Sequence, residues 1–186
     1  MMLDPKFSQL PGGISEKELL DQFVRVDQAG EYGAKRIYQG QLAILKNDEC
    51  AATLSHMAEQ EEEHLSYFNN QIKERLTRPS ALMPLWHVAG YALGAATALM
   101  GKKSAMACTV AIEEVIDEHY QEQLVILEKI SGNHELKTNI EKFRQEELEH
   151  RDIGLTNGAE QATCYKLLSF GIKLGAKLAI EIAKRV

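Results

Sequence analysis

At 186 residues the chain is long enough for one domain with a real core, and its 45% hydrophobic and 26% charged residues are those of an ordinary globular protein. A net charge of −6 and a pI near 5.6 argue against nucleic acid as the principal partner. Three cysteines, Cys50, Cys108 and Cys164, lie far apart without a Cys-x-x-Cys pair, which argues against a disulfide framework and fits a reducing compartment.

Residues 1–14 read as a loose arm without a charged-then-apolar leader, and residues 15–186 as a single domain. Ser15-Glu16-Lys17-Glu18 is a capping box that opens a helix running to about Lys46. Leu20, Val24, Glu31, Tyr38 and Leu45 share one face of it, so Glu31 points inward with the apolar stripe. Gly30 and Gly33 flank that carboxylate. Each costs a helix about 1 kcal/mol relative to Ala, so a close backbone approach or a bulge is expected there. Asn47-Asp48 ends this helix and is placed to cap the next, which runs to about Leu76. Leu54, Met57, Glu61, His64, Phe68 and Ile72 form its inward stripe, and Glu59, Glu62 and Glu63 fall outside it as solvated charges.

From Pro79 to Gly101 there is no Asp, Glu, Lys or Arg. The length matches the about 20 apolar residues of a membrane span, but Pro84 and three glycines weaken a spanning helix. A buried crossover, or a crossover that also touches membrane or an apolar ligand, are the other readings. His87 within it reads as a satisfied polar residue. Lys102-Lys103-Ser104 starts a third helix to about Ile130, with Met106, Val110, Glu113, Tyr120, Leu124 and Leu127 on its inner face. Tyr38 and Tyr120 each stand seven residues after an inward Glu, nearly the same azimuth. Both either line a site, with Tyr120 as a catalytic candidate, or are core tyrosines with bonded hydroxyls. His119, one position off that face, has a supporting or surface role.

Ser131-Gly132-Asn133 is a tight connection, with Gly132 as a C-cap candidate. The fourth helix carries Ile140, Phe143, Glu147, His150 and Gly154 on one face and ends at Asn157-Gly158. Gly154 stands where Phe68 stands in the first half of the chain, and the missing side chain is expected to leave room for a substrate. Glu160 to Val186 is a fifth helix, apolar but bearing Lys166, Lys173, Lys177, Lys184 and Arg185. On an acidic protein such a helix either attaches to an anionic membrane surface or packs on the bundle with its lysines in water.

Two stretches organise these elements: Glu61-Glu62-Glu63-His64 and Glu147-Leu148-Glu149-His150. On a helix, positions i and i+3 share a face, so each aims a carboxylate and an imidazole at one point. Of the six His, only His64 and His150 follow a Glu by three residues. Glu31 precedes the first stretch by thirty residues, and Glu113 precedes the second by thirty-four. One Glu from each of two helices, with Glu-x-x-His from each of two others, is the inventory of a carboxylate-bridged dimetal site in an all-α four-helix bundle. Four carboxylate charges balance two divalent cations; without cations their burial would carry a large desolvation cost. Glu146, just before Glu147, is placed to orient an imidazole from behind.

The runs Arg25-Val26-Asp27-Gln28-Ala29-Gly30-Glu31-Tyr32-Gly33-Ala34, Leu82-Met83-Pro84-Leu85-Trp86, Ala105-Met106-Ala107-Cys108-Thr109-Val110-Ala111 and Glu146-Glu147-Leu148-Glu149-His150-Arg151-Asp152-Ile153-Gly154-Leu155 resemble the demethoxyubiquinone hydroxylases of ubiquinone biosynthesis. The resemblance extends from about Leu19 to the end. It implies a ferritin-like bundle with a long apolar crossover and an additional C-terminal helix, holding two Fe ions through Glu31, Glu61, His64, Glu113, Glu147 and His150. Glu61 and Glu147 would bridge, Glu31 and His64 would complete one iron, and Glu113 and His150 the other. The implied reaction is O2-dependent hydroxylation of a polyprenyl quinol ring. The two electrons come from the quinol itself or from NADH, and no dinucleotide or flavin fingerprint decides between them. Attachment to the cytoplasmic side of a bacterial membrane, or to the inner mitochondrial membrane in a mature eukaryotic form, is expected, as are contacts with other quinone-biosynthesis proteins and a homo-oligomer. The short start fits a form without a transit peptide. The rivals are an iron-handling ferroxidase on the same bundle, a peripheral membrane scaffold with a structural metal, and a dimanganese catalase, since the donors suit Fe and Mn alike.

Overall fold

The computed structural model of the chain describes residues 14–185; the expected arm at residues 1–14 lies outside them but for Ile14. Among the described residues there are six α-helices and one 3-10 turn: α1 Glu16–Leu45, α2 Ala51–Glu74, α3 Met83–Leu99, α4 Lys102–Leu127, α5 His134–Thr156, the turn Ala159–Gln161, and α6 Tyr165–Ala183. The capping box forms as expected: Ser15 Oγ accepts from the Glu18 amide and Glu18 Oε2 accepts from the Ser15 amide at 2.7 Å. Two helix hairpins, α1–α2 and α4–α5, make the four-helix bundle, with α3 laid along α1 and α6 along α4. Leu54, Met57, Tyr38 and Met106 fill one end of the core, and Phe68, Tyr120, Ile140 and Phe143 the other.

Several boundaries differ from the expectation. Asp48 does not cap α2 directly; it accepts from the Cys50 amide at 3.0 Å, and the helix begins one residue later. Gly132 is not the C-cap of α4, which ends at Leu127 with Glu128 in that position; it supplies a left-handed φ of +87° in the connection beyond. The last helix starts at Tyr165 rather than Glu160, because the 3-10 turn and Cys164 at φ +57° break the path first.

The crossover is neither a buried connection nor a span. It is the helix α3, begun by Pro84 in its first turn, where the missing amide costs nothing, and no helix among the described residues is long and apolar enough to cross a membrane. Only a stripe of Gly90, Gly94, Thr97 and Ala98 is buried. Those glycines set the approach: a Cβ at Gly90 would lie 2.8 Å from the carbonyl oxygen of Gly33, and one at Gly94 would run into the Ile37 carbonyl. Backbone cannot yield as a side-chain tip can, so Gly94→Ala should cost about 3 kcal/mol, at the upper end of overpacking losses. Thermal unfolding should show a melting point lower by roughly 5–10 °C; an unchanged melting point would mean that α3 does not sit this close.

α6 packs on α4 with its basic residues at the solvated edge of the contact: Lys166, Lys177 and Arg185 are exposed, and Lys173 and Lys184 partly so. Its inner face carries Ser169 and Ile172, with Lys173 paired to Glu114 and Lys177 to Glu118 of α4 at 2.6 Å. Its outer face carries Leu167, Phe170, Leu174, Leu178 and Ile182, with Leu167 72% and Phe170 65% exposed. The outer face of α3 is similarly apolar through Leu85, Val88, Leu99 and Met100.

Candidate metal centre

The periodicity that turns Glu31, Glu61, Glu113 and Glu147 inward brings all four carboxylates, with His64 and His150, to the middle of the bundle, each of the six 0–1% exposed. They fall into two overlapping sets of four: Glu31, Glu61, His64 and Glu147; and Glu61, Glu113, Glu147 and His150. Within each set the ligand-type atoms lie within 4.8 Å of one another, so each set is able to hold a metal ion, and Glu61 and Glu147 belong to both. His64 Nδ1 is 3.0 Å from Glu147 Oε1 and 3.5 Å from Glu31 Oε2. His150 Nδ1 is 3.2 Å from Glu147 Oε2 and 3.3 Å from Glu61 Oε1.

These approaches are close but do not line up as hydrogen bonds. Glu31 Oε2, both oxygens of Glu61, His64 Nδ1, Glu113 Oε2, both oxygens of Glu147 and His150 Nδ1 are buried with no hydrogen-bond partner. A buried polar atom left unpaired costs about 1–3 kcal/mol, more when charged. Eight such atoms converging on one volume are what two divalent cations with oxygen and imidazole donors would satisfy.

The electrostatics of the metal-free cluster say the same. Burial and the charge of Glu147 hold the carboxyls of Glu61 and Glu113 well above the usual range. Burial pushes Glu147 up as well, but the two imidazoles beside it outweigh that and its carboxyl is lowered. For His64 burial disfavours the charged ring, and the carboxylates of Glu147 and Glu31 overcome it and raise its pKa; His150 is raised by Glu147 in the same way.

Around this centre the two halves mirror each other. The Tyr38 hydroxyl donates to Glu113 Oε1 at 2.7 Å, and the Tyr120 hydroxyl donates to Glu31 Oε1. Burial and those carboxylates keep both phenols protonated, with pKa values well above normal. Both tyrosines therefore line the site, each bonded to a carboxylate from the other hairpin. Glu146 Oε2 accepts from His64 Nε2 at 2.8 Å, the supporting role expected of it. Its counterpart, Gln60 Oε1 to His150 Nε2 at 3.1 Å, is one the sequence pattern does not single out, although Gln60 precedes Glu61 as Glu146 precedes Glu147. His119 supports a buried carboxylate: it lies 3.2 Å from Asp27 Oδ1, which also accepts from Gln123 Nε2 at 2.7 Å. His87 is exposed and bonds the Tyr32 hydroxyl at 2.6 Å.

An apolar cavity of about 700 Å³ runs between α1, α3, α4 and α6. Gly30 and Gly33 border it, and a Cβ at either would meet nothing within 4 Å, so they widen the cavity beside Glu31 rather than permit a bulge. Ile112, next to Glu113, lines it too, so the helices that form its inner wall carry two of the six donors. The space expected at Gly154 is absent. A Cβ there would lie 2.7 Å from Val110 Cγ2, because α4 closes onto α5 at that glycine.

The family described as "Ubiquinone biosynthesis protein COQ7" matches residues 18–183. The chain belongs to this family. It is 56% identical over 181 residues, 96% of this chain and 84% of the relative, to a Rhodospirillum rubrum protein named 3-demethoxyubiquinol 3-hydroxylase. It is 48% identical over 169 residues, 90% of this chain and 78% of the relative, to a human protein named NADPH-dependent 3-demethoxyubiquinone 3-hydroxylase, mitochondrial. A Saccharomyces cerevisiae protein named 5-demethoxyubiquinone hydroxylase, mitochondrial, is 39% identical over 187 residues, 92% of this chain and 80% of the relative.

Proposed function

We propose that this COQ7-family protein is a di-iron monooxygenase, a 3-demethoxyubiquinol 3-hydroxylase that uses O2 to hydroxylate the ring of a demethoxyubiquinol intermediate. The observation that carries the reading is the pair of overlapping donor sets, with eight unpartnered atoms turned to one volume. The relatives' names support the substrate and reaction. Glu61 and Glu147 would be shared by both irons, with Glu31 and His64 completing one and Glu113 and His150 the other. Bound there, the irons supply the activation of O2.

The chain's own residues supply the rest. Tyr120 and Tyr38 each hold one oxygen of a carboxylate, leaving the other for a cation. Glu146 and Gln60 accept Nε2–H, which fixes Nδ1 of His64 and His150 as the inward donor. The apolar cavity, bordered by Gly30 and Gly33 beside Glu31 and by Ile112 beside Glu113, suits a polyprenyl quinol. The electrons come from the quinol or from a reduced nicotinamide nucleotide, and the human relative's name specifies NADPH. Residues 15–186 form the single domain that does this. A ferroxidase would share the donors, but a hydrophilic cage does not account for the cavity or the outward apolar faces of α3 and α6.

Those faces support a peripheral place on a membrane through apolar contact. Two of the lysines are already paired to α4, so vesicle flotation should persist on neutral lipid and at high salt. It should be lost in the triple Ser variant of Leu167, Phe170 and Leu174; salt-sensitive binding to anionic vesicles alone would overturn this placement. Gly33→Leu should fill cavity without a clash, raise KM for a long-tailed quinol by roughly tenfold or more, and leave the metal content unchanged. Unaltered KM would remove the cavity from the substrate path. The reaction itself is tested by mass spectrometry of quinones from cells lacking the protein. A demethoxy quinone should accumulate, cleared by the wild type and not by Glu147→Ala; an unchanged quinone pool would reject the hydroxylase.

A further inference from the structure

The mirror symmetry of the centre is broken at one charge. His64 on α2 donates Nε2–H to the Glu146 carboxylate of α5 at 2.8 Å, while His150 on α5 donates to the neutral Gln60 amide of α2 at the longer 3.1 Å. Both acceptors stand immediately before a shared Glu, so one position does the same work in each hairpin with a different charge. A carboxylate accepting from an imidazole N–H makes a stronger, charge-assisted bond and a more basic ring than an amide does. It also adds negative charge near the cation. Lys142 Nζ lies 3.6 Å from the other oxygen of Glu146, but its side chain is 54% exposed and water screens it. The inequality recurs one turn before the outer ligands: Asp27 precedes Glu31 by four residues, and Thr109 precedes Glu113 by four. Asp27 Oδ1 is partnered by His119 and Gln123 while its Oδ2 is buried without a partner, and the neutral Thr109 hydroxyl has no partner at all.

We infer that the two halves of the centre are inequivalent, and that the Glu31–His64 half takes the first divalent cation and holds it more tightly than the Glu113–His150 half. Glu146 and Gln60 are positioning residues that act through the imidazoles. The inference rests on the dimetal reading of the site and makes a separate demand on it.

The test is an anaerobic titration of the metal-free full chain with Fe(II), and with Co(II), in competition with a chromophoric chelator. Wild type should bind two cations with constants separated by at least about tenfold. Glu146→Gln should weaken the tighter constant by roughly 10–100-fold and leave the weaker one in place, and Gln60→Glu should strengthen the weaker one. In crystals given one equivalent of Co(II), anomalous scattering should place the ion at the Glu31–His64 end in wild type and at the Glu113–His150 end in the doubly exchanged Gln60→Glu/Glu146→Gln variant. Equal constants in wild type, a first cation at the other end, or an equal loss at both sites in Glu146→Gln would each overturn the inference. Fewer than two cations bound by wild type would instead overturn the dimetal reading beneath it.

Discussion

Glu147→Ala should lose metal and hydroxylation together. Glu147 is fully buried, belongs to both donor sets, and is the carboxylate that approaches both imidazoles, at 3.0 Å to His64 and 3.2 Å to His150. Removing a supporting partner of a ligand typically costs about 10–100-fold in affinity or activity, and removing a ligand shared by both cations should exceed about 100-fold. The variant should still fold. The truncation leaves a small void, but it also removes the like charge that presses on Glu61 and Glu113. Glu147→Gln keeps the volume and separates the two contributions: it should be as inactive as the Ala variant and lack the void. Metal content, circular dichroism and turnover on a quinol substrate are the measurements. Full activity with two metals per chain in Glu147→Ala would sink the shared-ligand assignment.

The metal-free protein should lose stability as pH rises, and metal should remove that dependence. Glu61 and Glu113 are held well above the usual carboxylate range by burial and by Glu147, so the folded state binds protons that the unfolded chain has released. Their contribution is present at acid pH and is lost as pH rises through their folded values. His64 and His150, also raised, have the same sign: their contribution is full below the ordinary imidazole value and is lost as pH rises from there through the folded one. Glu147 is lowered and acts oppositely, its contribution being lost only as pH falls through its folded value. Four groups against one give a net fall from about pH 5 upward, with a slope of about 1.4 kcal/mol per pH for each proton that the folded state alone retains. Thermal melts of apo-protein across about pH 5 to about pH 9 should decline, and the same melts with two equivalents of Fe(II) or Mn(II) should stay level. Glu61→Gln should raise the apo melting point at alkaline pH while abolishing the metal effect. A level apo profile would show that the carboxylates do not repel one another in the folded protein.

The convergence of the six buried side chains was legible because the signal is local. A Glu and a His three residues apart share a helix face whatever the helix later packs against, and the repetition at Glu61–His64 and Glu147–His150 marked both hairpins. Glu31 and Glu113 were legible as carboxylates inside apolar stripes, and Tyr38 and Tyr120 as residues seven positions on. Glu146 was legible beside a ligand; Gln60, its twin, lacked the charge that draws attention. Asp27 and Gln123 left a weaker trace, since Asp27 sits one turn before Glu31 on the inward face, but nothing local said that the two would meet.

Helical period and residue chemistry dictate the helices of the bundle, their inward stripes and the turning of four carboxylates and two imidazoles toward one volume. Tertiary structure alone decided how faces are shared out. Gly154 looked like a space because a glycine carries no side chain, yet α4 closes onto it; Gly30 and Gly33 looked like a close approach or a bulge, and α3 does come down on the Gly33 carbonyl, but the glycine that permits it is Gly90 of α3. α6 is apolar around most of its circumference, and only its packing decided that Ile172 would meet Ile37, Cys108 and Ala111 while Leu167, Phe170 and Leu174 face outward. A helix's own residues fix what each face offers; which face is buried depends on neighbours far away in sequence.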